Sequence, residues 1–483
     1  MAGGAVMRVL SVASECAPLV KTGGLADVAG ALPGALAGLG VQMRTLLPGY
    51  PQIMAALEGA RRVLDLPDCF GGAGRVLAGQ GGGLDLLVLD APHLFDRGAG
   101  IYLGDDGRDW PDNPERYAAL SHAAARIAEG GLADWRPDIV HCHDWQAGLA
   151  PYYIARGPAG GHVGTVVTIH NIAFQGLAPA SRCGALRIDP ADYTPEGVEY
   201  FGQLSALKAG LMFADRLTTV SPTYAEELMT PEFGMGLDGV MRARSGRLSG
   251  ILNGIDEAVW NPAADPLIPK TYKAAKGKAE NKRALQAEFD LPQSDGPLCI
   301  VISRMTGQKG LDLLLQALPV LLGRGGQLAL LGSGDPALEY AFKEAGVHPN
   351  VSVRMGYDEA LSHRMMAGGD AILVPSRFEP CGLTQLYGLR YGTIPLVALT
   401  GGLADTVIPA TPATLAREVA TGLQFHPVTA EALGNALSRL CTLYEQPKIW
   451  SRMQRNAMAH PVGWDVSARA YAALYEGLAE GQA

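Results

Sequence analysis

Near-continuous apolar runs recur along the first half of the chain at residues 6–12, 41–46, 84–89, 138–143, 163–170 and 216–220, with stretches of helical character between them. Runs of this kind fit strands buried on both faces, as parallel sheets require. A second series follows at 298–303, 327–332, 351–354, 371–375 and 394–397, again with helical material between. The pattern predicts two doubly wound α/β domains. Between the series, residues 248–256 lead into a polar, Lys-rich stretch, 269–282, which reads as solvated surface. The boundary is therefore placed at 245–250, giving a first domain over 1–247 and a second over 248–463. Residues 464–478 predict an amphipathic helix with Val466, Ala470, Leu474 and Leu478 on one face, and the segment 464–483 is expected to cross back onto the first domain. The Gly-rich stretch 70–83 receives no element and no role.

Composition narrows the class. A chain of 483 residues is too long for one core and fits two or three domains. With 48% hydrophobic and 18% charged residues it is a globular chain with ample material for buried sheets. A net charge of −9 argues against nucleic acid or an anionic membrane as the main partner. The seven cysteines, at 16, 69, 142, 183, 299, 381 and 441, are scattered and form no CxxC pair, which points away from a disulfide framework or structural zinc and toward a reducing cytoplasm. Residues 1–6 lack a basic region, and the apolar run 9–13 is too short for a signal segment or a membrane span. Met7 offers a second candidate for the translation start.

Open parallel sheets bind ligands at the carboxyl ends of their strands, so chemistry is sought there. The hexapeptide Thr22-Gly23-Gly24-Leu25-Ala26-Asp27 recurs unchanged at Thr400-Gly401-Gly402-Leu403-Ala404-Asp405. Each copy reads as a loop feeding a helix, and paired glycines with free helical N–H groups suit phosphate or a sugar hydroxyl. Two facing anion sites is one reading, with Asp27 and Asp405 as helix caps; ordinary turns in a chain with 62 glycines is the other. One strand ends in His141-Cys142-His143-Asp144 and another in His170-Asn171. The HxHD pattern allows a metal, but no further ligand cluster completes such a site, and polar groups facing a cleft fit better. His170 is either a satisfied structural histidine or a ligand contact. In the second half a strand runs into Arg304 and Lys309, either a surface pair or a grip on a departing diphosphate. Glu379, between Phe378 and Pro380, is a carboxylate in a stiff segment, with a capping role as the competing reading.

Taken together, Lys21 through Val28, His143-Asp144-Trp145, His170-Asn171, residues 251–254, Ser303 through Gly310, residues 375–385 and the second hexapeptide resemble the ADP-glucose-dependent glycogen and starch synthase family along essentially the whole chain. The resemblance implies a retaining glycosyltransferase of the GT-B fold, two Rossmann-like domains facing each other across a cleft. It implies that Lys21, Gly23 and Gly24 face the sugar nucleotide from the first domain while Arg304 and Lys309 grip its phosphates. Glu379 would contact the transferred glucose, and Cys381, Gly382, Leu383 and Thr384 would present backbone amides. Asp144, His170 and Asn171 match acceptor-side and sugar-contacting positions, Tyr357 the aromatic against adenine, and Gln308 and Asn253 further binding positions.

The implied reaction moves glucose from ADP-glucose to the non-reducing 4-hydroxyl of an α-1,4-glucan such as glycogen, releasing ADP, with no cofactor and no metal. Cytoplasmic location is expected, with no nucleic-acid or membrane partner and the oligomeric state left open. A divided site implies that the domains close over the substrate and expel water. Three other readings stand beside this one: a related transferase using UDP-glucose, a phosphorylase-like enzyme, for which no cofactor-lysine segment is visible, and a non-catalytic glucan-binding protein.

Overall fold

The computed structural model describes residues 6–98 and 100–480. The readings of residues 1–5 and of the last three residues lie outside them. The chain forms two compact units, one built from residues up to 220 with 225–251 and 464 onward, the other from 221–224 with 252–463.

The first unit holds a nine-stranded sheet. Its strands are β1 (Met7–Val12), β2 (Val41–Pro48), β3 (Glu58–Leu66), β4 (Gly74–Gly81), β5 (Leu84–Asp90), β6 (Ile139–His143) and β7 (Gly164–Ile169). A small antiparallel sheet of β8 (Leu177–Pro179), β9 (Glu199–Tyr200) and β10 (Gln203–Ser205) intervenes before β11 (Arg216–Thr219) and β12 (Leu248–Gly250) complete the large one. The large sheet runs β12-β11-β7-β6-β1-β2-β5-β4-β3, parallel from β12 to β5. The second unit is a six-stranded parallel sheet of β13 (Leu298–Ile302), β14 (Gln327–Gly332), β15 (Val351–Met355), β16 (Ala371–Val374), β17 (Ile394–Ala398) and β18 (Leu423–Phe425), ordered β15-β14-β13-β16-β17-β18. The helix after β1, Gly24–Ala37, turns Leu25, Val28, Leu32 and Leu36 inward at helical spacing.

One unassigned stretch gains an element, and one expectation is corrected. The Gly-rich stretch is strand β4, antiparallel to β3 and β5, and Gly82 and Gly83 form the two-residue turn into β5 with φ of 58° and 81°. Positive φ at both turn positions is what glycine permits and what the twist of paired strands demands. The stretch was missed because it lacks an apolar run. The C-terminal helix, Asp465–Glu480, does pack in the core of the first unit, but through Ser467, Ala468, Tyr471, Ala472, Tyr475 and Leu478. Val466 is 58% exposed; reading only aliphatic positions misphased a face whose bulk is tyrosine.

Candidate active site

In the first unit, the loop after β1 is organised by a carboxylate. Glu15 is buried and accepts hydrogen bonds from the backbone N–H groups of Thr22 and Gly23, from the Thr22 hydroxyl and from Tyr102 Oη. Burial holds its pKa above the ordinary value against those four donors. The two loop amides are thus occupied by the protein's own acid. Lys21 pairs with Asp27 at 2.8 Å. Asp27 does not cap the helix, whose N-cap is Gly23 with no side-chain bond. Added methyl groups at Gly23 and Gly24 would meet nothing within 4 Å, so the loop surface is open. Glu15 sits just past a strand's carboxyl end, the signal that would have marked it.

After β6, Asp144 adopts φ 55°, a conformation costly for a non-glycine residue. Its Oδ1 accepts the backbone N–H of His170 at 2.6 Å and that of Asn171 at 3.4 Å, tying the ends of β6 and β7 together. Burial pushes its carboxyl up to about 7. Asn171 turns its Oδ1 onto the Ala173 N–H. His143 Nδ1 lies 3.0 Å from His170 Nε2, so the strand-end histidines bond to each other. Among the described residues no group of three or more His, Cys, Asp or Glu is placed to hold a metal ion.

In the second unit, the ends of β13 and β16 enclose a hollow of about 160 Å³ lined by Ser303, Arg304, Lys309, Glu379, Gly382, Leu383 and Thr384 among others. Lys309 Nζ lies 2.6 Å from Glu379 Oε2, which also accepts the Ser376 hydroxyl at 2.9 Å. Glu379 is the one carboxylate among the lining residues. Arg304 is exposed and makes no ion pair among the described residues. The helix Thr384–Tyr391 begins at the hollow with no side-chain cap, which leaves the positive end of its dipole to a ligand. Close backbone packing shapes the wall. Gly310 has φ 64°, and a methyl there would lie 1.9 Å from the Pro375 carbonyl oxygen. Gly382 has φ 70° and abuts Gln385 and Glu379. Gln308 reaches back to the Phe378 carbonyl at 3.2 Å. Cys381 is buried beside Asn253, and burial pushes its thiol up to about 12. The Oδ1 of Asn253 is buried with no partner among the described residues. Tyr357 stands 73% exposed beyond β15, outside the hollow's lining.

The second hexapeptide is not an open anion loop. The Gly402 N–H donates to the carbonyls of Glu379 and Pro380, and methyls at Gly401 and Gly402 would collide with the carbonyls of Glu379 and Cys381 at 2.1 and 2.3 Å. Asp405 caps nothing on its own helix; it accepts the backbone N–H and hydroxyl of Thr223. The copy braces the Glu379 segment from behind. Sequence reasoning missed Glu15, Ser376 and this bracing, because identical letters carry no record of what packs against them.

Residues 8–243 match the family model described as the starch synthase catalytic domain, and residues 283–457 match that of glycosyl transferases group 1. The chain is 64% identical over 473 residues to the protein named glycogen synthase of Paracoccus denitrificans (strain Pd 1222), covering 98% of this chain and 99% of the relative. It is 63% identical over 473 residues to the protein of the same name from Jannaschia sp. (strain CCS1), covering 98% and 99%. Among solved structures, the catalytic domain of starch synthase IV from Arabidopsis thaliana, bound to ADP and acarbose, superposes with a TM-score of 0.86 at 33% identity, covering 98% of this chain and 99% of that one. A sucrose-phosphate synthase from Thermosynechococcus elongatus, at 18% identity, covers 98% of this chain and 100% of its own and reaches a TM-score of 0.60, a likeness of fold alone.

Proposed function

The chain belongs to the glycogen and starch synthase family of GT-B glycosyltransferases, and on that premise we propose that it transfers glucose from ADP-glucose to the non-reducing 4-hydroxyl of an α-1,4-glucan, retaining the anomeric configuration and releasing ADP, as the elongating step of glycogen synthesis. The observation that carries the reading is the hollow in which Lys309 and exposed Arg304 meet Glu379 at an uncapped helix N-terminus.

Such a hollow suits a diphosphate whose negative charge grows as it leaves. Arg304 supplies a planar fork and Lys309 a point charge, preorganised where that charge develops. Retention by a nucleophilic carboxylate commonly needs two carboxyl groups about 5 Å apart, and the hollow's lining offers Glu379 alone. The reading is therefore a front-face path: the bond from the anomeric carbon to the phosphate oxygen breaks, the acceptor oxygen bonds on the same face, and its proton passes to the departing phosphate. Glu379, Cys381, Gly382, Leu383 and Thr384 shelter the glucosyl group, with Gln308, Asn253 and Tyr357 on the nucleotide side. In the first unit, Lys21, Gly23, Gly24, Asp144, His170 and Asn171 serve donor and acceptor contacts. The reading requires no metal and places the enzyme in the cytoplasm; the structural fact beside it is that no described helix is long and apolar enough to cross a membrane.

The test is incorporation of labelled glucose into precipitable glycogen from ADP-glucose and from UDP-glucose, each with and without EDTA. Incorporation from ADP-glucose that survives EDTA is the expected result. Preference for UDP-glucose overturns the donor, loss in EDTA overturns metal independence, and no incorporation from either overturns the activity.

A further inference from the structure

Behind His170 lies a hydrogen-bonded row that the preceding reading leaves unused. Ser11 Oγ, on β1, is 3.2 Å from His143 Nε2, and His143 Nδ1 is 3.0 Å from His170 Nε2. Ser11 and His143 are buried, whereas His170 is only half-buried. The His143 ring packs, tilted by 36°, with its centroid 4.3 Å from that of His141, which is itself fixed at Nδ1 by Tyr475 Oη at 2.7 Å and at Nε2 by Thr168 Oγ1 at 2.6 Å. Burial keeps all three rings neutral, pushing His143 down to about 3 and the other two well below the ordinary histidine value.

A neutral imidazole has one N–H and one lone pair, so each hydrogen bond in the row dictates the next. Among the described residues Ser11 Oγ has no partner other than His143. If Ser11 only accepted, its buried O–H would stay unpaired, which is costly. Ser11 therefore donates to His143 Nε2. The His143 proton then sits on Nδ1 and donates to His170 Nε2, and the His170 proton is left on Nδ1. That nitrogen has no partner among the described residues. We propose that Ser11 and His143 are positioning residues that lock His170 as the Nδ1–H tautomer, so that it presents a hydrogen-bond donor, not an acceptor, to an oxygen of the bound sugar. The sugar rests on the proposed function; the tautomer does not.

The test uses the full chain labelled with ¹⁵N-histidine and long-range ¹H–¹⁵N correlation spectra, with the His170 signals assigned by their loss in His170→Asn. The expected wild-type spectrum shows His170 protonated on Nδ1. Ser11→Ala should convert it to the Nε2–H form or a mixture, and should raise the KM for the sugar donor about tenfold, the worth of one good hydrogen bond, with kcat changing less. Ser11→Thr, which keeps the hydroxyl, should restore both. A wild-type His170 found as Nε2–H or as imidazolium overturns the proposal without any variant. An unchanged tautomer in folded Ser11→Ala overturns it too, since a purely structural serine would lower the melting temperature and leave the tautomer alone. The locked tautomer together with absent glucosyl transfer would count against the function and leave the relay standing.

Discussion

Lys309 and Glu379 neutralise each other at 2.6 Å in a hollow open to a ligand, and Arg304 beside them has no counter-ion among the described residues. A diphosphate therefore meets one free cation and one that must be shared with a carboxylate. Lys309→Ala should lower kcat by about 10²–10³, the scale of losing one preorganised charge-stabilising group, in steady-state transfer assays; a near-normal kcat removes Lys309 from the chemistry. Asp144 makes a different prediction. Its carboxyl titrates at about 7 when folded, above the unfolded value near pH 4. Between those values the folded protein holds a proton that the unfolded chain has released. This residue's contribution to stability thus falls as pH rises through that window. In urea titrations from about pH 4.5 to about pH 7.5, the midpoint of Asp144→Asn should gain on the parent as pH rises; parallel curves sink the assignment. Arg304, Lys309 and Glu379 were legible in the sequence because they follow strands at the carboxyl edge of a parallel sheet. Glu15 follows β1 in the same way, but its bonds to Thr22, Gly23 and Tyr102 form only when the loop folds back.

The two hexapeptides show how far identical elements diverge once packed. The first opens the helix Gly24–Ala37 with free space at both glycines, while the second presses its glycines onto the backbone of residues 379–381. Gly24→Ala should leave the melting temperature unchanged or slightly higher, since alanine restricts the unfolded chain. Gly402→Ala should cost about 1–3 kcal/mol through overpacking and lower activity by displacing Glu379. Calorimetry of both variants checks this; equal effects would mean that the two loops are equivalent after all. At this scale the apolar runs located the longer parallel strands, because burial on both faces leaves a continuous signature, and missed β12 and β18, which are three residues each. The antiparallel pair β3 and β4 left none, since β3 is exposed along most of its length.

On the scale of the whole chain, the residues after 463 complete the first unit. Trp464, Tyr471, Tyr475 and Leu478 share a core with Val9, Val28, Leu32 and Ile139, whereas the second unit's core is drawn wholly from residues 255–462. Residues 252–463 expressed alone should melt cooperatively, and residues 1–251 alone should not unless 464–480 are supplied, by circular dichroism and calorimetry. A cooperative transition in 1–251 would mean that the C-terminal helix is dispensable. Hydrophobic spacing determined the α/β class and the longer parallel strands, and the strand-end residues together with the co-linear motifs determined the family, because these follow from local periodicity and from groups covalently close in the chain. Tertiary structure alone decided that Glu15 fills the first glycine loop, that the second loop is a brace, and that Ser11 reaches His170 through His143. The bonds of Glu15, Ser11 and His143 join residues 7 to 132 positions apart, and the carboxylate oxygens, hydroxyls and ring nitrogens that make them gain a partner only when the strands come together.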